Sequence, residues 1–350
     1  MKEKEKEKEK EVSMMDHKIL LAGCGAMANR WLDYVADRDN AKIVALVDIS
    51  EEAARKKAEQ YSLSVPVFTD LEDALLKTHP NVVLDVTIPA AHKDVVTTSL
   101  RHGCHVFGEK PMAESLEDAR EIIEVAEQTG KNYTVMQNRR FLSSIRSLRD
   151  SLDNGIIGKP HTYHADFFLG PHFGGFRDVM DSPLILDMAI HTFDQARFIS
   201  GANAKSVYCH EFNPEGSWYK GNVSAVCIFE MDDGSVFTYR GSWCAEGFPT
   251  SWEGDWRIIG TDGTAKWDGL HLPTAEVVNK EGTGFILPTE KKEAPRTWDG
   301  KEEHDGCLDE MFASIEKDRL AETDCRDNIK SMEMVFAAIQ SAKEGRKVYL

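Results

Sequence analysis

Long apolar runs are missing from this 350-residue chain, and none approaches the ~20 residues a bilayer-spanning helix needs. A surplus of basic charge is missing too. Lys and Arg number 42 against 59 Asp and Glu, a net charge of −17. Phosphate contacts need a basic footprint, so nucleic acid is not the expected partner, and neither is a membrane. The seven cysteines are an odd number and contain no Cys-x-x-Cys pair, which argues against a disulfide framework and fits a reducing, cytoplasmic setting. No Gly-x-Ser-x-Gly elbow, Walker loop or solenoid repeat occurs. No metal is expected. His102, Cys104 and His105 straddle a helix end and a strand start, and His161 and His164 would point to opposite faces of a strand.

The N-terminus alternates Lys and Glu from Lys2 to Glu11, with no apolar core segment and no small-residue cleavage site. It is not a secretory signal. Residues 1–15 are read as a disordered charged tail, with Met14 or Met15 as a possible start of the folded protein.

What is present is order of two kinds. Up to about residue 140 strand and helix signals alternate. Apolar runs at 18–22, 42–47, 82–87, 105–107 and 133–137 are separated by segments with helical composition or caps, such as Asp70 before Leu71 and Ser115 with Asp118. Alternation of this kind implies a parallel sheet with right-handed crossovers, a doubly wound α/β domain over residues 16–140. Beyond about residue 155 strand-like runs dominate: 160–169, 206–212, 225–231 and 235–243, with Asp233-Gly234 as a hairpin turn between the last two and further β signal from Trp256 to Trp267. Residues 141–350 therefore read as a second domain on a mostly antiparallel sheet, closed by helices near 305–317 and 326–343.

In the doubly wound half, ligands bind beyond the carboxyl ends of the strands. Four features fall there: the turn Gly23-x-Gly25-x-x-Ala28, Asp48, Thr87-Ile88-Pro89, and Glu109-Lys110. Glycines in the first turn let the backbone, with Ala26 and Met27, approach a pyrophosphate at a helix N-terminus. Asp48, 25 residues after Gly23, can accept hydrogen bonds from ribose hydroxyls and would repel a 2′-phosphate. NAD is therefore the expected cofactor and NADP the less favoured one, with Ser50 and Arg55 as the residues that could hold its phosphate. Lys110, at a strand end between a carboxylate and Pro111, reads as a catalytic ammonium. In the second half a helix is expected from Pro183, capped by Ser182 and ended by Gly201. It places Asp187, His191 and Asp194 at i, i+4 and i+7, where an aspartate one turn away can orient the imidazole. Trp218, Trp243, Trp252 and Trp256 lie within 39 residues, beside Tyr219, Glu246, Glu253 and Asp255. Indole faces and carboxylates suit a polyhydroxylated ring, so the loop from Trp243 to Trp256 is expected to contact substrate across the cleft from Lys110. Packing and an oligomer interface are the plainer alternatives.

These motifs resemble the Gfo/Idh/MocA family, the glucose–fructose oxidoreductase and inositol dehydrogenase group. The resemblance runs from His17 to Leu350. It rests on Gly23–Ala28, Thr87-Ile-Pro-Ala-Ala-His92, Glu109-Lys-Pro111, Asn138-Arg-Arg-Phe141, Gly155-Ile-Ile-Gly158, Asp187-Met-Ala-Ile-His191 and Ser341–Val348. It implies an N-terminal Rossmann domain, a C-terminal α/β domain with a large open sheet, and a homodimer or homotetramer joined through that sheet. It also implies that Ile88, Pro89, His92, Glu109, Lys110 and Asn138 join Gly23, Gly25, Ala26, Met27 and Asp48 at the cofactor. Lys110 would bond the reacting hydroxyl, His191 would be the general acid/base, and Asp187 would bind substrate or support His191. Arg140, Trp243 and Trp252 are further candidates for substrate contact. Where many members carry glycines before the Asp/His helix, this chain has Asp181-Ser-Pro-Leu-Ile-Leu186, which alters the pocket wall. The expected activity is NAD(H)-dependent oxidation of a hydroxyl on a sugar, sugar derivative or cyclitol. A glycosidase using NAD without net redox change and a non-catalytic NAD-binding sensor are the rivals.

Overall fold

A computed structural model describes residues 16–350; the charged tail expected over residues 1–15 lies outside them. Two compact units divide the chain. The first holds the described residues up to Met136 plus Leu308–Arg326, and the second holds Gln137–Cys307 and Asp327–Leu350. A single cut after residue 140 would assign Leu308–Arg326 to the second.

In the first unit, strands β1 (His17–Ala22), β2 (Ala41–Val47), β3 (Val67–Phe68), β4 (Val82–Asp85), β5 (His105–Gly108) and β6 (Tyr133–Val135) form one sheet in the order β3-β2-β1-β4-β5-β6. All neighbours are parallel. Helices α1 (Ala28–Ala36), α2 (Glu51–Gln60), α3 (Leu71–Thr78), α4 (Pro89–Arg101) and α5 (Leu116–Thr129) connect them. Helices on both faces of such a sheet leave no polar side, which is why β4 is buried at all four residues. The caps read from sequence are formed: Asp70 accepts from the Asp73 N–H at 2.7 Å and Ser115 from the Asp118 N–H at 3.1 Å.

Leu308–Arg326 completes this unit from far along the chain. The Phe312 ring lies 5.0 Å from those of Phe107 and His17 and 5.9 Å from that of Tyr34. The Tyr34 hydroxyl donates to Asp309 at 2.6 Å, and Glu316 receives His17, Arg38 and Asn40.

The second unit carries a nine-stranded sheet. Its strands are β7 (Pro160–Phe168), β8 (Ala204–Phe212), β9 (Ser224–Met231), β10 (Val236–Ser242), β11 (Asp255–Gly260), β12 (Gly263–Trp267), β13 (Thr274–Val278), β14 (Thr289–Glu293) and β15 (Val348–Tyr349), in the order β14-β13-β12-β11-β7-β10-β9-β8-β15. β7 and β10 are parallel and the other neighbours antiparallel. One face is covered: Phe193 packs edge-on against Phe229 and Tyr239. The alternation of buried and exposed residues along β9 and β10 follows from that one-sided burial. β13, β14 and β15 were not apparent in the sequence; β14 is Thr-Glu-Lys-Lys-Glu and exposed throughout, so it has no apolar pattern to read.

Candidate active site

The candidates of the first unit stand just past strand ends. Gly23 follows β1 with φ +91°, and a Cβ there would lie 2.5 Å from the Val86 carbonyl oxygen. Only glycine fits. At Gly25 an added Cβ would meet nothing within 4 Å, and Gly25, Ala26 and Met27 are exposed. Helix α1 starts directly behind this turn with no side-chain cap and no acidic residue in its first turn. The Asn29 and Arg30 amides make only turn bonds to the Ala26 and Met27 carbonyls, at 3.2 and 3.1 Å, so the exposed turn stands at an uncapped, positive helix end, which suits a pyrophosphate.

Asp48 follows β2. One carboxylate oxygen accepts from the Cys24 N–H and the other from the Ser50 N–H, both at 2.8 Å. The carboxylate is thus tied to the glycine turn, and each oxygen keeps a lone pair for a ribose hydroxyl. Burial and Asp48 push the Cys24 thiol up to about 12, so it stays a neutral packing group. The two residues that could hold a 2′-phosphate are engaged on their own helix. The Ser50 hydroxyl accepts from the Ala53 N–H at 3.2 Å, and Arg55 pairs with Glu51.

After β4, Asp85 organises the next turn. Its carboxylate receives Nδ1 of His92 at 2.7 Å and the Thr87 hydroxyl at 2.5 Å. His92 is fully buried, so it holds the turn from below, while Ile88 stands 69 % exposed at its crest and Pro89 opens α4. After β5, the Glu109 N–H donates to the Asp85 carbonyl at 2.9 Å and its carboxylate accepts from Nε1 of buried Trp31 at 2.8 Å. The peptide between Lys110 and Pro111 is cis. Lys110 is half-buried on this braced turn.

The second unit holds the other candidates. Asp187 lies on a π-helical stretch, Leu184–Ala189, that runs into helix α6 (Ile190–Ser200). Wider π turns inside a helix are frequent at functional sites. The expected Ser182 cap is not made. Ser182 donates its hydroxyl to Glu211 at 3.1 Å instead, and Pro183 precedes the first turn without a side-chain cap. Asp187 accepts from Nε of Arg177 at 2.6 Å. His191 is 7 % exposed.

Asp194 does not share their setting. It is buried and bonded by Arg140 through two contacts of 2.6 Å and by the Ser331 hydroxyl at 2.7 Å. Arg140 also reaches Asp327 at 3.0 Å, and Arg197 reaches the other Asp327 oxygen at 2.6 Å. Two arginines, buried Asp194 and partly exposed Asp327 form a network that ties α6 to helix α7 (Cys325–Glu344). Arg140 thus anchors the helix from inside. The adjacent guanidinium is the one beside the site: Arg139 donates to the Trp252 carbonyl, lies 3.9 Å from the Met188 sulfur and 3.6 Å from Glu253. Glu253 also accepts from Gln195 at 2.5 Å. Burial raises the Glu253 carboxyl against the pull of Arg139.

The tryptophans divide. Trp243 and Trp256 are buried; Trp256 stacks on Phe237 and Trp267, and Trp243 on Tyr219. Trp252 is 44 % exposed. Phe173 links it to the aspartate: its ring is 6.3 Å from that of Trp252, and Arg177 lies 5.0 Å above it while bonding Asp187. Phe173 and Arg177 carried no motif and were missed, and Arg139, though inside Asn138-Arg-Arg-Phe141, was not singled out. Asn138, by contrast, is in the second unit, 3.3 Å from His304. Among the described residues no group of three or more His, Cys, Asp or Glu could hold a metal ion, and no helix is long and apolar enough to cross a membrane.

Two family models match the chain. An oxidoreductase family with an NAD-binding Rossmann fold covers residues 17–137, and the C-terminal alpha/beta domain of the same family covers residues 149–350. The chain belongs to the Gfo/Idh/MocA oxidoreductase family. Among its relatives, a D-apiose dehydrogenase of Paraburkholderia graminis is 25% identical over 350 residues, covering 94% of this chain and 88% of its own length. An inositol 2-dehydrogenase/D-chiro-inositol 3-dehydrogenase of Lacticaseibacillus casei is 30% identical over 186 residues, 52% of each chain. In fold, the chain is similar to an oxidoreductase from Agrobacterium radiobacter in complex with NAD+, L-tartaric acid and magnesium. The TM-score is 0.83 at 22% identity, covering 96% of this chain and 98% of that one. The protein is thus an oxidoreductase with an NAD-binding Rossmann unit, and its relatives include sugar and cyclitol dehydrogenases.

Proposed function

We propose that the protein is an NAD(H)-dependent dehydrogenase that oxidises a hydroxyl of a sugar, sugar derivative or cyclitol. The observation that carries this reading is the series of strand ends: an open glycine turn before an uncapped helix, a carboxylate tethered to that turn, and a braced lysine, on three strands of one parallel sheet. Gly25, Ala26 and Met27 fit a dinucleotide pyrophosphate. The free lone pairs of Asp48 fit ribose hydroxyls and disfavour a 2′-phosphate, so NAD is preferred to NADP. When bound, a nicotinamide supplies the acceptor for the hydride that leaves the carbinol carbon.

The chain's own residues account for the rest. Lys110 donates to the reacting oxygen and stabilises negative charge as it develops. His191 takes the hydroxyl proton, and Asp187, one turn earlier, binds substrate or orients the imidazole. Loss of one hydride and one proton converts the carbinol to a carbonyl. Incubating the protein with NAD and a panel of sugars, cyclitols and glycosides tests the reading: NADH absorbance should rise, and Lys110→Ala should lower kcat at least a hundredfold with NAD affinity nearly unchanged. Glycoside cleavage without NADH, or full turnover by the lysine variant, would refute it.

A further inference from the structure

Arg177 has an unusual combination of contacts. Its Nε donates to Asp187 at 2.6 Å. Its guanidinium carbon lies 5.0 Å from the centre of the Phe173 ring and 4.7 Å from that of Phe176. Its terminal nitrogens meet no protein acceptor among the described residues, although the side chain is only 31% exposed. The two phenyl rings are themselves in the open, at 44% and 63%. One edge of the guanidinium thus addresses the candidate catalytic aspartate, its faces lie against phenyl rings, and its terminal fork is left for something outside the protein.

The segment that carries Arg177 is pinned. The Pro171 carbonyl accepts from the Tyr219 hydroxyl at 2.7 Å and from Nε1 of Trp218 at 3.2 Å. The Asp178 and Asp181 carbonyls accept from the Lys220 and Asn222 N–H groups at 2.8 and 2.7 Å. At Gly221, between those two donors, a Cβ would fall 2.0 Å from the Met180 carbonyl oxygen, so only glycine lets the two strips lie this close. A guanidinium fixed in this way loses little freedom on binding. Its planar fork matches a carboxylate through two parallel charge-assisted hydrogen bonds, which are about twice as strong as bonds to neutral hydroxyls.

We infer that Arg177 is a substrate-specificity residue and that the substrate is a hydroxy acid of the sugar class, a uronate or aldonate, whose carboxylate sits on the Arg177 fork while Asp187 stays on Nε. The inference rests on the dehydrogenase reading and narrows its substrate. It also gives the chain's departure before the Asp/His helix a purpose, because the Asp181 carbonyl in that stretch helps pin the Arg177 segment.

The test uses the enzyme with NAD and matched pairs that differ in one carboxylate: D-glucuronate against D-glucose, D-galacturonate against D-galactose, and D-gluconate against D-glucitol. The acid member of at least one pair should show a kcat/KM at least tenfold above its neutral partner, mostly through KM. In Arg177→Gln that ratio should fall at least tenfold, and Arg177→Lys should restore part of it. A melting curve and NADH binding establish that each variant is folded. Affinity of the same compounds for the NADH complex, read by thermal shift, separates the two claims. Arginine-dependent binding of an acid without turnover supports the subsite and refutes the dehydrogenase reading. Turnover of neutral sugars with no preference for acids, or an acid preference that survives in folded Arg177→Gln, overturns the subsite and leaves the dehydrogenase reading standing.

Discussion

Asp187 and Asp194 lie seven residues apart on one helical segment, and replacing each should have opposite consequences. The Asp194 side chain is 2% exposed and that of Arg140 7%. In Asp194→Ala both 2.6 Å bonds from Arg140 disappear, along with the 2.7 Å bond from Ser331. The buried guanidinium then shares Asp327 with Arg197 and has lost its two shortest charge contacts. Removing one partner of a buried pair typically costs 3–5 kcal/mol, because the remaining charge is left without compensation. At about 2–4 °C per kcal/mol for a unit of roughly this size, the melting temperature should drop by about 10 °C. Asp187→Ala breaks a pair whose members are 17% and 31% exposed, so it should cost about 1 kcal/mol yet reduce kcat by orders of magnitude. Circular-dichroism melts and urea titrations would be run beside initial rates at 20 °C. If Asp194→Ala lost under 1 kcal/mol, or abolished turnover while melting like the parent, the division between an anchoring and a reacting aspartate would be refuted.

Two further results are expected. Asp48→Asn should weaken NAD at least tenfold and raise the NADP/NAD ratio of kcat/KM; a parent enzyme that prefers NADP, or an unchanged ratio, would refute the role given to Asp48. Glu211 should make stability pH-dependent, since burial pushes its carboxyl up to about 7 against the opposing pull of Ser182 and Lys343. The folded protein then holds a proton that the unfolded chain has released above about 4.3, so stability falls as pH rises from there to 7. Discounted for partial exposure, the loss is on the order of 2 kcal/mol. Glu211→Gln should therefore melt several degrees higher at pH 8 and like the parent at pH 4; an equal gain at both would show another cause.

Much of this was legible beforehand where chemistry and backbone are local. Gly23, Asp48 and Lys110 each follow an apolar strand, so strand alternation alone places them at one edge of a parallel sheet. The caps at Asp70 and Ser115 involve partners three residues away. What could not be read depends on distant partners. Nothing in Asn138-Arg-Arg-Phe141 says which arginine turns inward; Asp194 and Asp327, 54 and 187 residues on, decide it. Arg177 sits on a 3-10 helix of five residues, Gly175–Val179, too short to show a period in the sequence, and its importance comes from Asp187 and two rings that only folding assembles. Spacing placed Asp187 and Asp194 on one face because it assumed α-helical turns, and the π turns from Leu184 to Ala189 break that regular register.

The return of Leu308–Arg326 to the first unit bears on how the protein is made. A ribosome delivers β1 to β6 within the first 136 residues, but Phe312, Asp309 and Glu316, which cover Phe107, Tyr34 and His17, emerge about 170 residues later. At roughly 5–20 residues per second, the half-built nucleotide domain waits on the order of ten seconds or more with an aromatic face open to water. The domain begun first is thus finished almost last, and a fragment ending near residue 140 should be insoluble without the missing segment supplied in trans.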